Sequence, residues 1–280
     1  MRLISYQHEG RPGYGIWTDR GIIGLSSRLP GYPDLRAVLA AGALPELSAF
    51  LDEREDLDLS EVELLPPIVE PKKILCVGIN YHAHRIETGR DETPHPTYFT
   101  RWADTLVGHG GALIRPQAST RFDYEGELAV VIAKPARHVK EQDALQYVAG
   151  YACFNDASVR DWQRHTSQFT PGKNFPGTGG FGPALVTTEE LPDPQALSIQ
   201  TRLNGQVVQE SHTERMIFGA ARLIAYASTF TLLNPGDVIA TGTPSGVGDK
   251  REPPLYLKAG DVVEVELSGV GVLRNLVKDE

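Results

Sequence analysis

Asp123-Tyr124-Glu125-Gly126-Glu127-Leu128-Ala129-Val130-Val131-Ile132-Ala133 is the stretch on which the reading of this chain turns. Side chains alternate across a strand, so Glu125 and Glu127 share a face with Ala129, Val131 and Ala133. Tyr124, Leu128, Val130 and Ile132 take the other face. Beyond the carboxylates both faces are apolar, which predicts a strand covered on both sides. Two ionised carboxylates on such a face repel each other and lose hydration, and a cation removes the conflict. The plainer reading is a solvated strand end with both glutamates paired to surface lysines. Spacing alone leaves the two readings level.

A third carboxylate follows. Tyr147-Val148-Ala149-Gly150-Tyr151-Ala152-Cys153-Phe154-Asn155-Asp156 reads as a second buried strand, ending on an acid just before a helix expected over 157–165. Asp156 is either the N-cap of that helix or a third ligand. Three oxygen ligands with no cysteine or histidine beside them suit Mg²⁺ or Mn²⁺ rather than zinc. An octahedral ion held this way keeps about three positions for water and substrate.

Outward from these strands the chain reads as β-rich. Strands are expected at 73–77, 198–203, 207–210, 237–240, 261–267 and 272–277, with Asn204-Gly205 as a hairpin turn. Helices are expected at 81–88 and 214–228, the latter apolar nearly all round. Residues 1–70 read as a small α/β unit: strands at 3–6, 15–18 and 21–25, then helices at 34–41 and 44–52. Three prolines between Leu65 and Pro71 form a stiff linker, so the boundary is placed there, with 71–280 as the catalytic domain.

Composition excludes several classes. Hydrophobic residues make up 41% and charged residues 22% of 280, ordinary globular values. No apolar run approaches the ~20 residues of a membrane span, and Met1–His8 has no signal-peptide core, so a cytoplasmic chain without a membrane partner is expected. Lysine and arginine number 27 against 36 acids, a net charge of −9, and no basic run exists, which argues against nucleic acid. Cys76 and Cys153 lack metal-ligand spacing and read as core residues. Gly177-Thr178-Gly179-Gly180-Phe181-Gly182 fits the dinucleotide pattern only literally, because Pro183 follows where a helix should begin. Thr241–Gly248 is glycine-rich yet has neither GK[ST] nor GxSxG.

Taken in order, the motifs resemble those of the fumarylacetoacetate hydrolase family. They are Gly78-Ile79-Asn80-Tyr81 with His84 and Glu87, Glu125-x-Glu127, Asp156 with Gln163, Lys173, and Asn234-Pro235-Gly236-Asp237 running on to Thr241-Gly242-Thr243-Pro244-Ser245-Gly246-Val247-Gly248. The resemblance spans residues 70–280 and is nearest the acylpyruvate hydrolase and hydroxyheptadienedioate isomerase branch. It implies an α+β, β-rich fold, a mixed roll or barrel with outer helices, dimeric, with Mg²⁺ or Mn²⁺ held by Glu125, Glu127 and Asp156 in its mouth. It also implies a small 2-oxo acid as substrate, chelated through its carboxylate and keto oxygens.

His84 and Glu87 are spaced i, i+3 on one helix face and are expected to pair as an oriented base, whereas His82 points elsewhere. Residues 85–94 read as a lid. By resemblance Lys173 offers positive charge to an oxyanion, Gln163 reaches the mouth two turns after Asp156, and Thr243 donates to a substrate carboxylate. Tyr98-Phe99-Thr100-Arg101-Trp102 departs from the family's Phe-x-Lys-Pro, so Arg101 is expected to replace a lysine's charge in the distal substrate pocket with a different reach. The leading expectation is a hydrolase of carbon–carbon bonds in acylpyruvate-like 2,4-dioxo acids. The alternatives are an isomerase or hydratase of hydroxymuconate-type dienoates, an oxaloacetate decarboxylase, and a binding protein that keeps the fold.

Overall fold

A computed structural model describes residues 1–280. Its centre is an eleven-stranded mixed sheet. Along its main path the strands run Ile22–Gly24, Arg11–Trp17, Arg2–His8, Gly179–Thr187, Val148–Asp156, Gly126–Ile132, Val238–Ala240, Ile74–Gly78 and Thr97–Arg101. Most pairs are antiparallel, while Val238–Ala240 lies parallel to Ile74–Gly78. A second sheet of five strands is ordered Gln206–His212, Ser198–Leu203, Val262–Leu267, Gly271–Asp279 and Ala112–Arg115. No helix is long and apolar enough to cross a membrane.

The strand Gly126–Ile132 is buried along its whole length and lies between two cores, as its two apolar faces predict. Leu128, Val130 and Ile132 pack with the second sheet and the helix Ala220–Phe230. Ala129 and Val131 pack on the other side with Leu3, Val38 and Leu39 from the amino-terminal unit. The expected boundary near residue 70 falls between strands of one continuous sheet. Arg2 and Leu3 pair with Val186 and Leu185, and Glu63–Leu65 pairs with Arg2–His8.

Several elements differ from expectation, three of them with a physical reason visible in the structure. Gly179–Thr187, a nine-residue central strand, was not expected, because its glycines and Pro183 disguise it. The helix expected over 214–228 begins only at Ala220. Asn80 holds the preceding segment extended: its backbone carbonyl accepts from Ile217 N–H, and its Oδ1 from Phe218 N–H at 2.8 Å. This helix also leaves Phe230 exposed, so it is buried along one broad face rather than all round. The helix expected over 157–165 contracts to Arg160–Gln163, because Ser158–Val159 pairs as a short strand with Phe122–Asp123.

Candidate metal centre

Neighbouring strands bring the acids together. Asp156 closes Val148–Asp156, whose register sets Asn155 opposite Gly126 and Phe154 opposite Glu127. One carboxylate oxygen from each of Glu125, Glu127 and Asp156 lies within 4.8 Å of the others, and all three residues are buried. Cations answer two of these acids. Lys173 Nζ donates to Glu125 Oε2 and to Asp156 Oδ2, both at 2.6 Å, and to the Asp156 carbonyl at 3.2 Å. Arg160 Nη1 donates to Glu125 Oε1 at 2.5 Å, and Arg101 Nε to Asp156 Oδ1 at 2.5 Å. Glu127 has no cation, only the Gly242 N–H at 2.8 Å.

The electrostatics follow from that inequality. Burial raises the pKa of Glu125, but Lys173 and Arg160 outweigh it and hold the group at about 2. Burial lifts Glu127 well above the usual carboxylate range, and the negative charges of Asp156 and Glu125 lift it further. An anionic Glu127 in this position calls for a positive partner. The donor set is all oxygen, which fits a hard divalent cation ligated by Glu125, Glu127 and Asp156.

Above the acids opens a cavity of about 570 Å³, lined among others by His84, Glu125, Glu127, Gln163, Lys173 and Thr243. His84 sits on the helix His82–Thr88, with Nδ1 2.8 Å from Glu87 Oε2. Glu87 Oε1 accepts from Gly246 N–H at 2.8 Å, so both carboxylate oxygens are fixed and the imidazole is held from behind. The segment of the expected lid from Thr88 to Thr93 borders the same cavity, and His82 is exposed away from it.

Other expected residues take different places. Lys173, expected in an open turn, ends the short helix Thr170–Lys173 and is buried, with all three N–H donors committed. Gln163 reaches the cavity, but across an extended segment rather than along one helix with Asp156. Thr243 gives its single hydroxyl proton to the Gly126 carbonyl at 3.0 Å and accepts from Gln209. That hydroxyl fastens the Thr241–Gly248 loop to the strand Gly126–Ile132 at the cavity's edge. Arg101 is not in the cavity wall at all: its side chain lies fully buried behind Asp156.

Two residues escaped the sequence reading. Asp123 shares the i, i+2 alternation with Glu125 and Glu127, and that spacing was the available signal. It accepts from Arg160 Nε at 2.7 Å and from the Gly248 and Asp249 N–H groups. Arg160, four residues beyond Asp156 across the extended Ser158–Val159, carried no motif. It bridges Asp123 and Glu125 and lines the cavity, and its Nη2 is buried without a partner. Gln163 Oε1 accepts from Arg160 Nη1 at 3.0 Å.

Known proteins resemble this chain over nearly its whole length. The model of the fumarylacetoacetate hydrolase C-terminal region matches residues 73–278. The oxaloacetate tautomerase fahd2, mitochondrial, of Xenopus laevis is 41% identical over 99% of this chain and 90% of its own length. Its human counterpart FAHD2A, also named an oxaloacetate tautomerase, is 39% identical over 99% and 91%. Among solved structures, the fumarylacetoacetate hydrolase of Exiguobacterium antarcticum superposes with a TM-score of 0.86 at 32% identity, over all of both chains. Maleylpyruvate hydrolase from Sphingobium sp. SYK-6, in complex with manganese(II) ion and pyruvate, gives 0.84 at 26%, covering 100% of this chain and 99% of that one. The order of the motifs, the mixed β-rich fold and the buried acidic triad lead to one conclusion: the chain belongs to the fumarylacetoacetate hydrolase family.

Proposed function

We propose that the protein catalyses keto–enol tautomerisation of oxaloacetate or a closely similar 2-oxo dicarboxylate, with Mg²⁺ or Mn²⁺ bound by Glu125, Glu127 and Asp156. The observation that carries this reading is the His84–Glu87 pair at 2.8 Å, with His84 in the wall of a cavity that Glu125 and Glu127 also line. Tautomerisation needs one proton removed and one returned, and a histidine held through Nδ1 has its other ring nitrogen left to do both. Glu87, itself held by the Gly246 N–H, fixes the ring's orientation. When bound, the cation supplies chelation of the carboxylate and keto oxygens and stabilises the enolate charge.

The remaining polar groups suit an anionic ligand. Arg160 and Gln163, joined by a hydrogen bond from Arg160 Nη1 to Gln163 Oε1 at 3.0 Å, both line the cavity. Lys173, with its donors spent on Glu125 and Asp156, acts through its charge. The names of the relatives above supply the substrate.

Acceleration of enol-oxaloacetate ketonisation, followed by loss of enol absorbance with Mg²⁺ or Mn²⁺ present, is the test. No acceleration over buffer and metal alone would sink the proposal. A second reading, hydrolysis of an acylpyruvate-like acid by water activated at His84, has the likeness to maleylpyruvate hydrolase in its favour. Pyruvate release from acetylpyruvate would select it. A cytoplasmic homodimer is the remaining part of the proposal, resting on sequence and resemblance, whereas the relatives above are named mitochondrial.

A further inference from the structure

Arg101 has no place in the cavity wall, and its surroundings give it another task. Besides Asp156 Oδ1, it donates from Nη1 to Thr105 Oγ1 at 3.2 Å and Thr178 Oγ1 at 3.1 Å, and from Nη2 to the Ala157 carbonyl. Both threonine hydroxyls spend their protons elsewhere, on the Trp102 and Phe175 carbonyls, so each can only accept from the guanidinium. The glycine-rich run 177–182, which is no nucleotide loop, completes the socket. A Cβ on Gly179 would stand 3.0 Å from Arg101 Nη1 and 3.4 Å from Cζ, so the guanidinium fills the space a side chain would need.

We infer that Arg101, seated in the Thr105–Thr178–Gly179 socket, is a positioning residue that fixes the orientation of Asp156 as a metal ligand. Arg101 holds Oδ1 and Lys173 holds Oδ2, and the lone pairs left on a carboxylate with about four acceptor sites remain for the cation. A lysine could supply the charge but not the fork that ties Asp156, Ala157, Thr105 and Thr178 together. Partners of this kind orient metal ligands, and their loss costs about 10- to 100-fold in metal affinity.

The inference rests on the three-carboxylate reading of the metal centre, so the test separates the two. Mn²⁺ affinity is measured by titration for the parent, Glu127→Gln, Arg101→Lys and Gly179→Ala, with unfolding temperature in EDTA and the spectrum of bound Mn²⁺ recorded in parallel. The expected result for Arg101→Lys is a fold intact in EDTA, Mn²⁺ bound about 10- to 100-fold more weakly, and a changed Mn²⁺ spectrum. Gly179→Ala, which presses on the guanidinium without touching its charge, should weaken Mn²⁺ in the same direction by less. It decides the matter by the same criterion if Arg101→Lys does not fold. Parent-like affinity and spectrum in a folded variant would overturn the positioning role. A parent that binds no Mn²⁺, or a Glu127→Gln protein that binds it equally well, would overturn the carboxylate reading first.

Discussion

Glu127 carries the charge imbalance of the buried cluster. Around it, Asp123, Glu125 and Asp156 are each ion-paired to Arg160, Lys173 or Arg101, and its own carboxylate is not. Because its folded pKa lies above the ordinary 4.5, the folded state holds this proton more tightly than the unfolded state. Without a cation, stability therefore falls as pH rises above 4.5. Glu125, held at about 2, acts oppositely: its contribution is present above 4.5 and is lost as pH falls toward 2. Calorimetry in EDTA should show an unfolding temperature that declines from mildly acid to neutral pH. Mn²⁺ should raise the neutral values most, and Glu127→Gln should flatten the decline while abolishing the Mn²⁺ effect. An identical pH slope in Glu127→Gln would mean that the excess charge resides elsewhere. His84 and Glu87 form the other residue-scale unit. His84→Ala and Glu87→Ala should each lose about 10²–10⁴-fold in turnover, and the double variant little more than the worse single one. Both should keep parent Mn²⁺ affinity, since neither belongs to the acid cluster. Strictly additive losses would show that the two do not act together.

Among the elements, the strand Gly126–Ile132 is the one on which everything else is hung. Its alternation was legible because each face meets a different core. The tightness of the second sheet against it was not legible. A Cβ on Gly126 would lie 2.1 Å from Thr201 Oγ1, a buried hydroxyl without a partner. Gly126→Ala must therefore move the strand Ser198–Leu203 or displace the acids flanking it. Overpacking of this kind costs about 1–3 kcal/mol, measurable as a lower denaturation midpoint. Metal affinity should fall with it, because Glu125 and Glu127 are the neighbours on either side. Parent affinity at reduced stability would place the strain wholly in the second sheet. The short helix Arg160–Gln163 shows why an i, i+7 argument from Asp156 could not work. Pairing of Ser158–Val159 with Phe122–Asp123 takes the intervening residues into extended structure, and a sequence window does not contain that partner strand.

At the scale of the molecule, the amino-terminal unit and the remainder share both a sheet and a core. Leu3, Ile16 and Val38 pack with Cys76, Ala152 and Phe154, and Arg2–His8 covers one edge of Gly179–Thr187. Unfolding is accordingly expected as a single cooperative transition. A chain starting at residue 71 should be recovered aggregated, with that strand edge and apolar face bare. A soluble, monodisperse 71–280 fragment that binds Mn²⁺ would refute this. The two-faced strand, the Glu125–Glu127 alternation and the His84–Glu87 spacing were legible in the sequence alone, because alternation and helical periodicity are local geometry that a linear pattern records, whereas reading them with Asp156 as a ligand set and a base pair took the family resemblance as well. Only the tertiary structure decided which cation answers which acid. Arg101 was assigned to a substrate tail and lies behind Asp156, Arg160 carried no motif and bridges two acids, and Thr243 turned out to fasten a loop. Long side chains find their partners across strands brought together by non-local pairing, and that pairing depends on which surfaces bury one another rather than on any spacing along the chain.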